Sequence, residues 1–165
     1  MKIAYQGIPG SYSESCAKKM YPGCQTISCK TFDECFEKSS KDNTLRSIIP
    51  ESNKTTGNIG VEYLIFKYRL NIYAEHFFPI KHNLLGIKGS NLHNIKDVYS
   101  HAQALSQSSN FIKKNHLNEN VRADTAGSAK YIADTKDKTK AAIASELSAK
   151  IYNLEILKKD IQDEK

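Results

Sequence analysis

Apolar and polar positions along the chain change period repeatedly, and each change marks an element. Lys2 to Tyr5 reads as a short strand, and Gly7-Ile8-Pro9-Gly10 then forces a turn. Ser11 or Ser13 can cap the helix that runs on toward Met20. Gln25 to Ser28 is a second strand, and Thr31 with Glu34 three residues later forms a capping box for a second helix. Leu45 to Ile49 is a strand that stops at Pro50. The segment from Thr55 to Arg69 starts a further helix, with apolar residues at Ile59, Leu64, Ile65 and Tyr68.

The pattern then turns extended from Asn71 to Ile87, punctuated by Gly86 and Gly89, and a second round begins. Asp97 to Ser100 is a strand, His101 to Asn115 a helix, and Val121 to Ala123 another strand. Thr125 caps a helix through Ala133, and Ala141 to Ala144 is a buried strand. Ser145 caps a helix through Tyr152, and Leu154 to Ile161 is a last extended piece. Strands separated by helices predict parallel α/β layers. Two rounds of β-α units predict two α/β lobes, about 1–72 and about 73–165, with a cleft between them.

Composition narrows this picture. At 165 residues the chain buries a sufficient core without a metal or disulfide staple. No apolar run approaches the roughly 18 residues of a membrane span, and the N-terminus lacks a signal peptide's apolar core. The expectation is a soluble, cytoplasmic protein. Lys and Arg total 24 against 18 acids, a formal charge of +6, yet only Arg46, Arg69 and Arg122 are arginines. The lysines are scattered and interleaved with acids, which argues for a solvated surface and against a nucleic-acid partner. Such a diffuse positive field still favours small anions. Cys16, Cys24, Cys29 and Cys35 contain no C-x-x-C pair, and the first histidine is His76, so a metal site is not expected. Reduced cysteines filling a small core are expected instead.

Candidate chemistry collects at turns where a strand ends and a helix begins: Gly7 to Ser13, Ser100-His101, and Asp124 to Ser128. Helix starts carry free N–H groups and partial positive charge, and small residues let a ligand approach the backbone. With the polar run Ser52 to Gly57, these turns point to a small anionic ligand at the strand ends. His101 stands out among the five histidines because it lies at such a turn. No nucleotide-binding glycine motif, H-E-x-x-H or G-x-S-x-G elbow is present.

Six blocks in order resemble the catalytic region of prephenate dehydratases: IAYQGIPGSYSE from Ile3, TTGNI from Thr55, HNLLGIKG from His82, VYSHAQALSQ from Val98, ADTAGSAKYIA from Ala123, and the stretch Ala141 to Asp163. The resemblance covers nearly the whole chain. It implies a two-lobed fold like a type II periplasmic binding protein, with the active site between the lobes. It also implies decarboxylative dehydration of prephenate to phenylpyruvate, without metal or cofactor. By motif position, the family's catalytic Ser and Gln fall on Ser100 and Gln107, and its Asn on Asn53. The substrate would meet Ser11, Tyr12, Ser13, Thr55, Thr56, His101 and the turn Thr125, Ala126, Gly127 and Ser128. The implied partner is the small-molecule substrate, with neither nucleic acid nor membrane, and the resemblance admits a homodimer.

Two departures qualify the resemblance. Pro50 to Gly57 reads P-E-S-N-K-T-T-G where the family has P-I-E-N-S-T-T-G, so Ser52 replaces a Glu and Lys54 a Ser. The family also continues to a Thr-Arg-Phe motif with a catalytic Thr and then to a phenylalanine-binding regulatory domain of the ACT type. This sequence stops at Lys165, before either, which predicts a looser hinge and lower stability. The competing expectation is a small-anion binding module on the same fold that does no chemistry.

Overall fold

A computed structural model describes residues 1–53 and 57–164. It divides into two compact units: Met1–Ile8 with Tyr12–Phe78, and Pro9–Ser11 with Pro79 onward.

The first unit opens with β1 (Lys2–Gln6), α1 (Tyr12–Met20), β2 (Gln25–Cys29), α2 (Phe32–Lys41) and β3 (Leu45–Ile48). Its sheet has the order β2-β1-β3 with both pairings parallel, as the βαβ pattern predicts. Ala4, Cys29, Cys35 and Leu45 form its small core, so two of the cysteines serve as compact apolar side chains. Burial pushes both thiols up, that of Cys35 most, which suppresses their reactivity. A short hairpin, β4 (Ser52–Asn53) and β5 (Gly57–Asn58), precedes α3 (Glu62–Tyr68). Asp33 in α2 accepts from Lys67 Nζ at 2.6 Å and Tyr68 OH at 2.7 Å, fixing α3 to α2. The two donors hold that carboxyl below the usual range.

The predicted capping box forms with a displaced return arm. Thr31 Oγ1 accepts from Glu34 N at 3.1 Å, while Glu34 Oε2 takes Lys30 N at 2.7 Å, one residue further back than in the ordinary box. Thr31→Ala should cost about 1 kcal/mol in chemical denaturation. No change in the midpoint would show that Glu34 carries the cap alone.

Of the extended stretch expected from Asn71 to Ile87 only Asn83–Gly86 forms a strand; residues 71–78 carry no regular secondary structure and belong to the first unit, so the boundary lies at 78/79 and not at 72/73. Cation–π contacts account for this: Arg46 lies 3.9 Å over the Tyr73 ring and Lys19 5.7 Å from that of Phe78.

The second unit contains β6 (Asn83–Gly86), β7 (Asp97–Ser100), α4 (Ala102–Ser106), α5 (Ser109–Lys114), β8 (Asn118–Val121), α6 (Thr125–Thr135), β9 (Lys140–Ala144), α7 (Glu146–Ile151) and β10 (Glu155–Lys158). Its five strands take the order β10-β6-β9-β7-β8. The sheet is mixed, not wholly parallel. β7 runs parallel to β8 and β9, but β6 is antiparallel to both β9 and β10. The chain comes to β6 from the connector without an intervening crossover helix, so nothing imposes the parallel sense.

Alternate residues feed opposite faces of this sheet. Leu84, Val98, Ala141 and Ile143 pack with Ala104, Leu105 and Ile112 on one side. Leu85, Ala142 and Ala144 pack with Ala129, Ile132 and Ala149 on the other. The single helix predicted from His101 to Asn115 is broken at Gln107-Ser108, because the Gln107 carbonyl accepts from Asp163 N at 2.7 Å. Asp163 also caps the new helix start, accepting from Ser109 Oγ at 3.0 Å and Asn110 N at 3.2 Å. β8 comes three residues earlier than predicted. Its Asn-Glu-Asn sequence has no apolar signature, because an edge strand needs little burial. No helix among the described residues is long and apolar enough to cross a membrane.

Candidate functional site

One edge of the second sheet gathers most of the predicted turns. β7, β8 and β9 run parallel, so their C-terminal ends lie together. β6 runs the other way with Asn83 opposite Ala144, which brings its first residues to the same edge. His82, Ser100-His101, Asp124 to Ser128 and Ser145 therefore share it. Pro9 to Ser11 joins them through α7. Gly10 O accepts from Ser145 Oγ at 2.6 Å and Ser148 Oγ at 2.9 Å, and Pro9 O from Tyr152 OH at 2.7 Å. Gly10 has φ +95°, and a Cβ there would sit 2.5 Å from Ser148 Oγ, so only glycine fits.

Ser100 is fully buried and its hydroxyl donates to Ile143 O at 2.6 Å, pinning the end of β7 to β9. His101 caps α4, its Nδ1 accepting from Gln103 N at 3.3 Å, which leaves the neutral ring's proton on Nε2. Gln107 closes α4, and its Oε1 lies 2.9 Å from His82 Nε2. The start of α6 departs from expectation: Asp124, not Thr125, is the cap, its Oδ1 accepting from Gly127 N at 2.6 Å. Ser128 donates its hydroxyl back to Asp124 O at 2.8 Å. A Cβ on Gly127 would lie 2.8 Å from the Asp124 carboxylate, so an alanine there would push the carboxylate away from the cap it makes. The helix start expected to receive a substrate carboxylate thus carries one of its own. Thr125, Ala126, Gly127 and Ser128 are all present at the edge, with Ala126 and Ser128 buried.

Tyr12, Ser13 and Asn53 belong to the first unit, Ser11 to the second. Burial raises the Tyr12 phenol, keeping it protonated. Asn53 ends β4 opposite Gly57. Lys54, Thr55 and Thr56 lie outside the described residues. Among the described residues no group of His, Cys, Asp and Glu could hold a metal ion.

Among the buried polar groups that sequence reasoning did not single out, two are an acid and a base, Glu14 and His82. Glu14, 3% exposed, accepts from Thr26 Oγ1 at 2.9 Å and pairs with Lys18 at 2.7 Å. His82 is also 3% exposed. Its only signal was its place immediately before the wholly buried β6. Burial pushes its imidazole below the ordinary value, opposed by the bond to Gln107. On acidification the unfolded chain therefore protonates His82 while the folded ring stays neutral, so stability falls as pH drops through the ordinary histidine range. Thermal melts from about pH 7.5 to about pH 5.5 should fall more steeply for wild type than for His82→Gln. Parallel slopes would refute this linkage.

The family model described as prephenate dehydratase matches residues 3–165. The chain belongs to the prephenate dehydratase family. Among curated proteins, it is 41% identical over 165 residues to arogenate dehydratase 2 of Petunia hybrida and to the chloroplastic arogenate dehydratase/prephenate dehydratase 2 of Arabidopsis thaliana. These matches cover 99% of this chain but only 42% and 43% of theirs, so the chain spans less than half the length of those family members. The prephenate dehydratase of Staphylococcus aureus shares the fold, with a TM-score of 0.83 at 24% identity over 99% of this chain and 61% of its own. A structure described as GqqA, a novel type of quorum quenching acylase, superimposes with a TM-score of 0.91 at 31% identity, over 99% of this chain and 60% of that one.

Proposed function

We propose that this region catalyses the decarboxylative dehydration of prephenate to phenylpyruvate, a step toward phenylalanine. The observation that carries the reading is the grouping of Ser100-His101, the His82–Gln107 pair and Asp124 to Ser128 at one sheet edge in a chain of this family. The reaction asks little of the protein. The ring carboxylate leaves as carbon dioxide, its bond electrons move into the ring, and the ring hydroxyl departs with a proton as water. Aromatisation drives the process, so the site's task is to orient a dianion and donate hydrogen bonds to the leaving oxygen. The Gln107 amide and the His101 Nε2–H are neutral donors suited to that task. Three of the four free cysteines are buried, which suits a reducing compartment such as the cytoplasm.

A second reading takes arogenate as the substrate. Arogenate carries an ammonium where prephenate has its side-chain keto group. The exposed Asp124 carboxylate supplies a counter-charge at the same edge.

Purified protein incubated with each compound decides between these, with phenylpyruvate and phenylalanine measured separately. Phenylpyruvate from prephenate supports the first reading. Preference for arogenate that Asp124→Asn reverses supports the second. Saturable prephenate binding without product would make this a binding module, and neither binding nor turnover would overturn both readings.

A further inference from the structure

We infer that the turn after α1 holds a soft-metal site, built from sulfur alone and fitted to a monovalent cation such as Cu(I) or Ag(I). The chain has only two methionines, Met1 and Met20, and four cysteines. Both methionines and Cys24 line one cavity of about 290 Å3, whose wall Tyr21, Pro22 and Gly23 complete. Cys16 stands behind Met20, its Sγ 3.6 Å from Met20 Sδ. Methionine sulfur lies outside the His, Cys, Asp and Glu set that forms no metal site among the described residues.

Local structure explains the gathering. Pro22 and Gly23, with φ +80° at the glycine, make a tight turn closed by Cys24 N donating to Tyr21 O at 3.0 Å. The turn carries Cys24 back against the end of α1, where its Sγ lies 3.6 Å from Ala17 O. Gln25 N donates to Met1 O at 3.0 Å, so the pairing of β1 with β2 sets Met1 beside Cys24. Cys16 and Met20 are one helical turn apart on α1, which stacks their side chains. Sulfur that only fills a core is enclosed, as Cys29 and Cys35 are in the core of the first unit. Here Met1 is 61% exposed and Cys24 half-buried, so an ion can reach the cavity. Metal–thiolate bonds run to about 2.3 Å, and two bonds of that length opening at roughly 100° span the distance between the Cys16 and Met20 sulfurs. Thioether and thiolate sulfurs select soft ions such as Cu(I). Binding forms a bond from Cys24 Sγ to the metal as the thiol proton passes to solvent, with no change of oxidation state.

The test uses the purified protein, reduced and anaerobic, with its methionine methyls 13C-labelled. Two methionines give two methyl resonances. Both should shift together as Ag+ is added and stop shifting at one equivalent. Cu(I) presented with a competing chromophoric chelator should likewise bind at one ion per chain. Met20→Leu conserves volume, and it should weaken Cu(I) binding about tenfold or more, as should Cys24→Ser and Cys16→Ala. Unchanged affinity in any of the three would overturn the inference, because the ion would then sit elsewhere, with Cys29 and Cys35 the remaining sulfurs. A methyl that does not move would overturn it too, as would Zn2+ displacing Ag+ at equal concentration. The methyl readout needs only the wild-type protein, so it decides the matter even where a variant unfolds.

Discussion

Gly10→Ala should lower the unfolding free energy by about 2–5 kcal/mol, combining strain at positive φ with overpacking of a closed contact. A Cβ at Gly10 would meet Ser148 Oγ at 2.5 Å, Ser148 Cβ at 3.2 Å and the Ser148 Cα at 3.0 Å. The Oγ can turn away about χ1, but only by giving up the hydroxyl bond to Gly10 O, and the Cβ stays where the backbone puts it. The Cα belongs to α7 and cannot move without the helix. Pairing the change with Ser148→Gly removes the oxygen and Cβ and should restore part of the loss. The remainder reports the backbone, since φ +95° is a conformation that L residues rarely adopt. For a domain this size, with a total stability of about 5–15 kcal/mol, the single variant consumes a large share. Urea denaturation measures it, and a change below about 0.5 kcal/mol would show that the turn has room to move.

Gln107→Ala should reduce prephenate turnover by about 10²-fold, the usual scale for removing one preorganised donor. It also orphans the buried His82 Nε2–H, which should cost about 1–3 kcal/mol. A fall in activity alone would therefore not separate chemistry from folding. Gln107→Glu separates them. The carboxylate still accepts from His82, so stability should exceed that of the alanine variant. Yet it offers no NH2 and repels an anionic substrate, so turnover should be at least as low. If Gln107→Glu retains more than about half of wild-type kcat/KM, the amide donor is not what the reaction uses.

Most of this architecture was readable where burial and capping spoke together. Asp97 to Ser100 and Ala141 to Ala144 were legible because inward residues alternate or run apolar, and Thr31 and Ser145 because short hydroxyl side chains precede helices. β8 was displaced because an edge strand of Asn and Glu carries no apolar pattern. The break at Gln107 was hidden because its cause, Asp163, lies 53 residues from Asn110, whose N–H it caps. The reversed sense of β6 was hidden for the same reason: periodicity identifies a strand but not its direction. Among site residues, Ser100 and His101 were marked by their place after a strand, and Gln107 only by the family resemblance. His82 escaped because its importance comes from a contact 25 residues away in sequence, and Asp124 because Thr125 beside it was an equally good cap.

The attachment of Pro9–Ser11 to α7 has a kinetic consequence. The hydroxyls of Ser145 and Ser148 are buried, and the carbonyl they share arrives from 135 and 138 residues earlier. The turn therefore precedes the serines that hold it by two whole rounds of strands and helices. Closing so wide a loop adds only modest entropy per added residue, but it makes the step non-local and slow. Neither unit is a continuous stretch of chain, so cutting at Phe78/Pro79 would leave the second without the acceptor for two of its enclosed serines. The second unit therefore completes its fold only when this turn, set within the sequence of the first, docks on α7.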